Sequence, residues 1–291
     1  MRCDLHVHTR LSGPCTIPVA RRFCRESYNE PLAVYHRLKE LGMDVVTITD
    51  HDSMDAAAEL GRFDDFFASE EVTVTLPSGT EAHVAVYDLN ERQHIEIQAR
   101  RDDFPRFAAY LREQQLLFGI NHLFSGLTGR RAAADYQCFA QHFPAWEVCN
   151  SAMLRRANDQ ATRYAEALGK IATAGSDSHS MRTLASAYTV VPGSRSKSDF
   201  LDGLRAGRTR IERAHGGWHR VTADVVTISL NLFREQPVTA LLAPVLLALP
   251  LVTLGNYIVE GLCAQRGPQL CAETLGLCPV TLARLEQAVL A

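Results

Sequence analysis

The sequence predicts an α/β fold with a parallel sheet, closed or open, followed by a helical C-terminal region. Over the first two-thirds of the chain, β-branched and apolar runs alternate with runs whose apolar residues have helical spacing. Such alternation is typical of parallel sheets covered by helices. It stops near residue 212, where the pattern becomes helical. The loop-like stretch 214–217 therefore places a boundary between segments 1–212 and 213–291.

The individual elements follow in chain order. Short apolar or β-branched runs predict strands over 4–9, 44–49, 71–75, 82–87, 116–121, 145–149, 170–175 and 185–191. Apolar residues three or four positions apart predict helices over 31–41, 53–69, 103–115, 132–142, 152–168 and 196–206. The tripeptide Pro77-Ser78-Gly79 separates two of the strands and predicts a hairpin.

Histidines and carboxylates stand at the ends of successive predicted strands. His6 and His8 share one face of the first strand, because strand side chains alternate. Six of the eleven histidines lie at such positions. Buried imidazoles and carboxylates are costly unless they are paired or bound to a metal, so this pattern favours a metal site. The candidate ligands are His6, His8, His51, Glu71, His83, His122, Asp177 and His179.

This ligand set indicates both the metals and the chemistry. Imidazoles and carboxylates without a thiolate cluster suit Mn, Fe or Zn rather than a closed structural zinc site. Eight candidates are too many for one ion, which predicts two or three divalent ions. Such clusters activate water and hydrolyse phosphate esters. Asp177, His179 and Glu71 are the candidates for a direct catalytic role.

The residues lie in the motifs DLHVHT, TITDHDS, EEVT, NH and AGSDSH, in this order. In order and spacing these resemble the motifs of the PHP (polymerase and histidinol phosphatase) family of the amidohydrolase superfamily, over about residues 1–212. The resemblance implies a distorted (β/α)7 barrel, a multinuclear metal centre and phosphoesterase activity. A small helical C-terminal appendage lies outside it.

The resemblance also implies individual roles. His6 and His8 would hold one metal, Glu71 and Asp177 would be bridging or shared carboxylates, and the other four histidines would complete the cluster. Asp50 is expected to orient an imidazole by a hydrogen bond, and Glu70 is expected to be solvated.

One departure from the family pattern follows His8. Many members carry an Asp or a His five or six residues after the second His, whereas this chain has the sequence LSGPC over residues 11–15. We therefore predict two tightly bound ions and leave a third site open. Cys15 is an alternative ligand for it. Three tightly bound equivalents in protein purified without added metal would contradict this prediction.

Phosphate esters need cationic partners near the metals. Arg155, Arg156 and Arg182 follow predicted strands on the catalytic side and are the candidate substrate contacts. The predicted function is hydrolysis of a small phosphorylated metabolite or nucleotide by metal-activated water. The alternatives are a C–N bond hydrolase and a catalytically degenerate binding module.

Composition narrows the partners and the location. A net charge of −3 without a basic stripe argues against a nucleic-acid scaffold. Eight scattered cysteines and the lack of an apolar leader predict reduced thiols and a cytoplasmic location. No charged residue occurs over 236–259. This predicts either short buried or interface helices, or a membrane or protein contact through 238–259.

Overall fold

The computed structural model describes residues 1–15, 21–22, 24–126 and 128–277. The strands in these ranges are β1 (Arg2–Cys3), β2 (Ser69–Thr75), β3 (Glu81–Tyr87), β4 (Leu117–Ile120), β5 (Ala145–Asn150), β6 (Ile171–Gly175), β7 (Tyr188–Val190) and β8 (Arg210–Glu212). The α-helices are α1 (Pro31–Glu40), α2 (Ala56–Leu60), α3 (Glu91–Gln98), α4 (Phe104–Glu113), α5 (Ala133–His142), α6 (Arg155–Ala167), α7 (Lys197–Arg205), α8 (Trp218–Glu235) and α9 (Leu249–Leu275). Short 3-10 helices cover Arg10–Ser12 and Pro237–Leu247.

The main sheet has five strands in the order β2-β3-β4-β5-β6. Only β4, β5 and β6 run parallel to one another, and β3 is antiparallel to both of its neighbours. The predicted hairpin explains this, since the turn at 77–79 returns the chain directly, with Gly79 at a φ of +83°. The predictions of an α/β fold and of the hairpin are confirmed, and the sheet is mixed rather than parallel throughout. A second, antiparallel sheet has the order β1-β7-β8.

Two extended segments lie beside this sheet, near residues 5–8 and 46–51. The amide of Asp177 donates to the carbonyl of His6 over 2.8 Å, and that of Thr49 donates to Val7 over 2.9 Å. A parallel bridge then joins His51 to Glu71 of β2. Neither segment forms a regular strand. The structure therefore shows a mixed α/β fold, and the barrel of seven β/α units stays a prediction.

The helices differ from the predictions mainly at two places. The helix predicted over 53–69 is only the short α2, and α3 falls where no helix was predicted. Polar residues dominate α3, so its apolar spacing is weak. Its start is instead fixed by a capping box, in which Asn90 and Gln93 each accept a hydrogen bond from the other's amide.

The largest apolar core lies between the main sheet and helices α4, α5 and α6. In α4, Phe104, Phe107 and Leu111 recur at helical spacing and are buried on one face. Truncating a fully buried residue such as Phe107 to Ala would cost about 3–5 kcal/mol. Ala264 and Cys271 of α9 belong to the same core, so the C-terminal region packs against the α/β part.

Most of residues 218–275 are helical, in α8, the 3-10 helix Pro237–Leu247 and α9. However, many of their large apolar side chains face outward, among them Leu241 at 81% exposure and Leu247 at 84%. In the part of the chain that the structure describes, no single helix is long and apolar enough to cross a membrane. The 3-10 helix Pro237–Leu247 and α9 are long and apolar enough only when taken together, and this pair is bent by 65°. The membrane or protein contact through 238–259 stays a prediction.

Candidate metal centre

Four buried side chains converge beside the C-terminal end of β6. The Nε2 atoms of His6 and His8 lie 3.0 Å apart. Each lies 3.4 Å from Oδ1 of Asp177. Oε2 of Glu71, from β2, is 3.3 Å from the first imidazole and 3.4 Å from the second. The structure thus brings together the histidine pair and both carboxylates predicted to bridge metals.

Glu71 stands at the middle of the whole cluster. Its Oε2 atom also lies 3.3 Å from Nε2 of His51. Its Oε1 atom faces the other way, 3.5 Å from Nδ1 of His83 and 3.3 Å from Nε2 of His122. One carboxylate therefore separates two sets of imidazoles. Three compact groups have ligand atoms within 4.8 Å of one another: His6–His8–Asp177, His8–His51–Glu71 and Glu71–His83–His122.

A buried carboxylate that the sequence analysis missed orients these ligands. Glu147 of β5 lies 2.8 Å from Nδ1 of His6 and accepts the backbone amide of His122 over 2.7 Å. Asn150 donates to Glu147 and also to Asp177, each over 3.0 Å. A hydrogen bond to Nδ1 of a ligand histidine fixes its ring and raises its basicity. The available sequence signal was a lone Glu inside the apolar run AWEVC.

Two of the ligands have unusual backbone conformations. The φ angles of His122 and Asp177 are +31° and +52°, which residues other than Gly rarely adopt. The hydrogen bonds of their amides, to Glu147 and to the carbonyl of His6, hold these conformations. Such strain concentrates at functional sites, where the surrounding structure determines it.

The charges of the cluster depend on one another. Burial by itself would raise the pKa of Asp177, but His6, His8 and His179 lower it well below its usual value. Burial would likewise lower the pKa of His8, yet hydrogen bonds with Asp177 and Glu71 raise it to about 10. Without metal, the buried carboxylates thus need protonated imidazoles beside them. Divalent cations would supply the same positive charge.

The donor set fits such ions. Nδ1 of His122 and Nε2 of His179 are buried without a hydrogen-bond partner among the described residues. Burial lowers the pKa of His51 to about 4, which leaves this imidazole neutral and able to bind a cation. Buried, neutral imidazoles that converge with carboxylates are typical ligands of first-row divalent metals.

Two roles assigned to neighbouring acids are wrong. Glu70 was expected to be solvated, but it is fully buried, and its Oε2 contacts His94 and Gln98 of α3 at 2.8 and 2.9 Å. Helix α3 was not predicted, so the sequence analysis did not expect it to cover Glu70 on β2. Asp50 was expected to orient an imidazole. Instead it accepts the backbone amide and hydroxyl of Thr9, at 2.5 and 2.6 Å.

The cluster forms the floor of a cavity of about 850 Å³. Glu71, Asp177 and His179, the three catalytic candidates, all line it. Cys15, the alternative ligand, lines it too but belongs to none of the compact groups. Arg21 and Arg101 supply the cationic part of the lining.

The predicted substrate arginines, Arg155, Arg156 and Arg182, are not among the residues that line this cavity. The side chain of Arg155 is 78% exposed and lies 3.4 Å from Asp159, on the same helix. Their contact with a phosphate group stays a prediction.

Glu26 is a further acid that the sequence analysis did not consider. Its carboxylate oxygens lie 3.3 Å from Nε2 of His51 and 3.4 Å from Nε2 of His179. Burial would raise its pKa, but these imidazoles lower it to about 2. The structure thus adds a third carboxylate to the centre.

Comparisons with known proteins agree with this architecture. A family model described as PHP-associated matches residues 155–209. An uncharacterised protein, MJ1587, from Methanocaldococcus jannaschii is 30% identical over 95 residues, which are 31% of this chain and 52% of that protein. The chain thus spans about half the length of this curated relative.

Two solved structures share the fold. PsfC from Pseudomonas syringae PB-5123 superposes with a TM-score of 0.55 at 16% identity, over 81% of this chain and 98% of that one. The lesion-specific endonuclease PfuEndoQ from Pyrococcus furiosus gives 0.51 at 15% identity, over 72% and 57%. At these identities the likeness concerns the fold.

Proposed function

We propose that this chain is a PHP-family, metal-dependent hydrolase that cleaves a phosphate ester of a small metabolite or nucleotide. One observation carries the proposal. Glu71 and Asp177 meet six imidazoles, and both carboxylates and four of the imidazoles line a cavity, so ligands of several cations face a space that a substrate can enter.

The residues divide into two principal sites. His6, His8 and Asp177 would hold one ion, and Glu71 with His83 and His122 would hold the next. Mn, Fe or Zn bound there would supply an activated water and neutralise charge on the phosphoryl oxygens. Because Glu71 faces both sites with its two oxygens, it would keep the ions close together.

The chain's own groups supply rigidity around these sites. Glu147 holds the ring of His6, and Asn121 donates to Oε1 of Glu71 over 2.7 Å. Such contacts fix the ligands before substrate arrives, which is the main requirement for electrostatic stabilisation of a transition state. Asp177 and His179 line the cavity and lie where a substrate would contact them.

A panel assay tests the proposal. Purified protein, supplied separately with Mn, Fe or Zn, is assayed on p-nitrophenyl phosphate, a set of phosphorylated metabolites and a set of amides. We expect turnover of at least one phosphate ester, and inhibition by inorganic phosphate. The substitution Asp177→Asn should lower kcat/KM at least about 100-fold, whereas Asp202→Asn, on the exposed side of α7, should leave it unchanged.

Two results would contradict the proposal. Turnover of amides alone would assign the centre to C–N bond hydrolysis. Stoichiometric metal binding without turnover of any class would assign it to a binding module.

A further inference from the structure

We infer that Glu26 completes a third cation site in this chain, together with His51 and His179. The inference rests on the proposed function, because the third site belongs to the same metal centre. It raises the expected number of bound ions from two to three. Nothing in the motif after His8 supplies the third carboxylate, so the ligand has to come from elsewhere in the chain.

The contacts of Glu26 place it between two imidazoles. Oε2 faces Nε2 of His51 at 3.3 Å, and Oε1 faces Nε2 of His179 at 3.4 Å. The latter nitrogen is buried without a well-directed hydrogen bond to any described residue. Nδ1 of His179 lies 3.1 Å from the carbonyl oxygen of Asp177, to which only an N–H can donate, so the lone pair of the neutral ring is on Nε2 and can bind a cation. This group is not one of the three whose ligand atoms all lie within 4.8 Å of one another, so its side chains would have to move closer together to bind one ion.

The ring of His8 ties this third group to the first site. Its centroid lies 4.8 Å from that of His51 and 4.4 Å from that of His179, with nearly parallel planes in both cases. An ion held by Glu26 would thus lie on the cavity side of the first site. Glu26, His51 and His179 all line the cavity, so the third ion would be open to substrate.

Backbone pairing explains how Glu26, which lies outside the motif around His8, reaches the metal centre. An antiparallel bridge joins Pro14 to Arg25, and the amide of Glu26 donates to the carbonyl of Gly13 over 3.2 Å. Glu26 is thereby held directly opposite Gly13. That position is five residues after His8, in the stretch where the resemblance to the PHP family implies a further acid or histidine. In this chain the backbone pairing of Pro14 with Arg25 brings Glu26 to the place where a ligand is missing after His8.

The space for this replacement is also present. Gly13 has a φ of +85°, and a Cβ built there would meet no atom of the described residues within 4 Å. Open space thus adjoins Gly13 in the cavity wall, and the Glu26 side chain, 15% exposed, faces His51 from the paired segment.

Metal counting tests the inference without relying on activity. Metal-free protein is loaded with Mn²⁺, separated from free ion by gel filtration, and analysed by mass spectrometry for metal equivalents. Wild type and Glu30→Gln, a control on the same segment with a 58% exposed side chain, should retain three equivalents. Glu26→Gln should retain two, with the affinity of the first two ions unchanged in a calorimetric titration.

Three equivalents in Glu26→Gln with wild-type affinity, or two in wild type, would overturn the inference. If Glu26→Gln does not fold, Glu26→Asp replaces it. Its shorter side chain should weaken only the third ion, at least tenfold, and equal affinity for all three ions would again overturn the assignment. Failure of the proposed function is a separate result. In that case wild type binds three ions, Glu26→Gln binds two, and neither cleaves a phosphate ester.

Discussion

In most soluble proteins charged side chains are exposed and large apolar side chains are buried. The metal centre departs from the first tendency, and the C-terminal helices depart from the second. At the centre, charged side chains such as His6, Glu71 and Asp177 are buried or nearly so. In the C-terminal region, large apolar side chains such as Leu241 and Leu247 are exposed. Both arrangements cost free energy in an isolated chain.

The difference lies in what offsets that cost. At the centre, each buried charge has an opposite charge within about 3.5 Å, and metal ions would add to this balance. In the apolar segment 238–259, the exposed leucines contact solvent. We therefore expect substitutions at the centre to have large effects, and substitutions on the exposed apolar face to have small effects on folding.

The two regions are nevertheless joined by polar contacts. Ser180, next to the ligand His179, donates to Asp224 of α8 over 2.6 Å. Glu260 of α9 accepts the amide of Gly126 over 3.1 Å, in the loop after His122. The polar side of the C-terminal helices thus supports two loops of the metal centre. Leu241 and Leu247, in contrast, are largely exposed.

Outside the ligands themselves, the largest effect is expected from Glu147→Gln. The substitution keeps the shape of the side chain but removes the negative charge beside Nδ1 of His6. Metal affinity should fall about 10–100-fold, as is usual when the partner of a ligand histidine is lost. A competition titration against a chelator measures this, with Glu166→Gln on the exposed face of α6 as the control. Equal affinities would mean that Glu147 has only a packing role.

A change of pH should have opposite effects on the stability of the metal-free protein and on its affinity for metal. The pKa of His8 in the metal-free fold is about 10, above its ordinary value of 6.5. Its protonated form therefore stabilises the fold fully below about pH 6.5, and this contribution is lost as the pH rises toward 10. The pKa of Asp177 is lowered, so its contribution is present above about pH 4 and is lost on acidification.

Metal binding, in contrast, requires neutral imidazoles and releases protons, so affinity should increase with pH. Denaturant unfolding of metal-free protein and calorimetric titration with Mn²⁺, both between pH 5.5 and 8.5 or so, measure the two trends. Stability and affinity that rise together would show that the imidazoles are neutral in the metal-free fold.

A smaller effect is expected at the rim of the cavity. Arg101 lines the cavity and pairs with Asp52 at 2.5 Å, whereas Arg155 is outside it. If a phosphate group enters here, Arg101→Ala should raise KM about tenfold, the value of one charge-assisted contact. Arg155→Ala should change KM less than twofold. The reverse order would restore Arg155 as the substrate contact predicted from the sequence.

The smallest effect is expected in the apolar segment. The double substitution Leu241→Ser, Leu247→Ser should change the free energy of unfolding by less than about 0.5 kcal/mol per site, because both side chains are already exposed. Leu204→Ala, at a fully buried position of α7, should cost about 2–5 kcal/mol. Denaturant unfolding of the purified protein compares them. A large loss in the serine variant would show that this face is covered in solution.

The sequence by itself determined the features that depend on residues close together in the chain. Alternation along an extended segment places His6 and His8 on one side, and the motif AGSDSH delivers Asp177 and His179 from one turn. The β2–β3 hairpin also follows from a local turn. All eight predicted metal ligands accordingly line the cavity or belong to a compact group in the structure.

Tertiary structure alone decided the contacts between distant segments. Glu147 reaches His6 across 141 positions of sequence. Glu26 meets the centre because the chain pairs with itself at Pro14 and Arg25. Glu70 is buried by a helix whose own pattern is weak. Such contacts depend on which segments pack together, and that choice is set by the free energy of the whole core rather than by any local pattern.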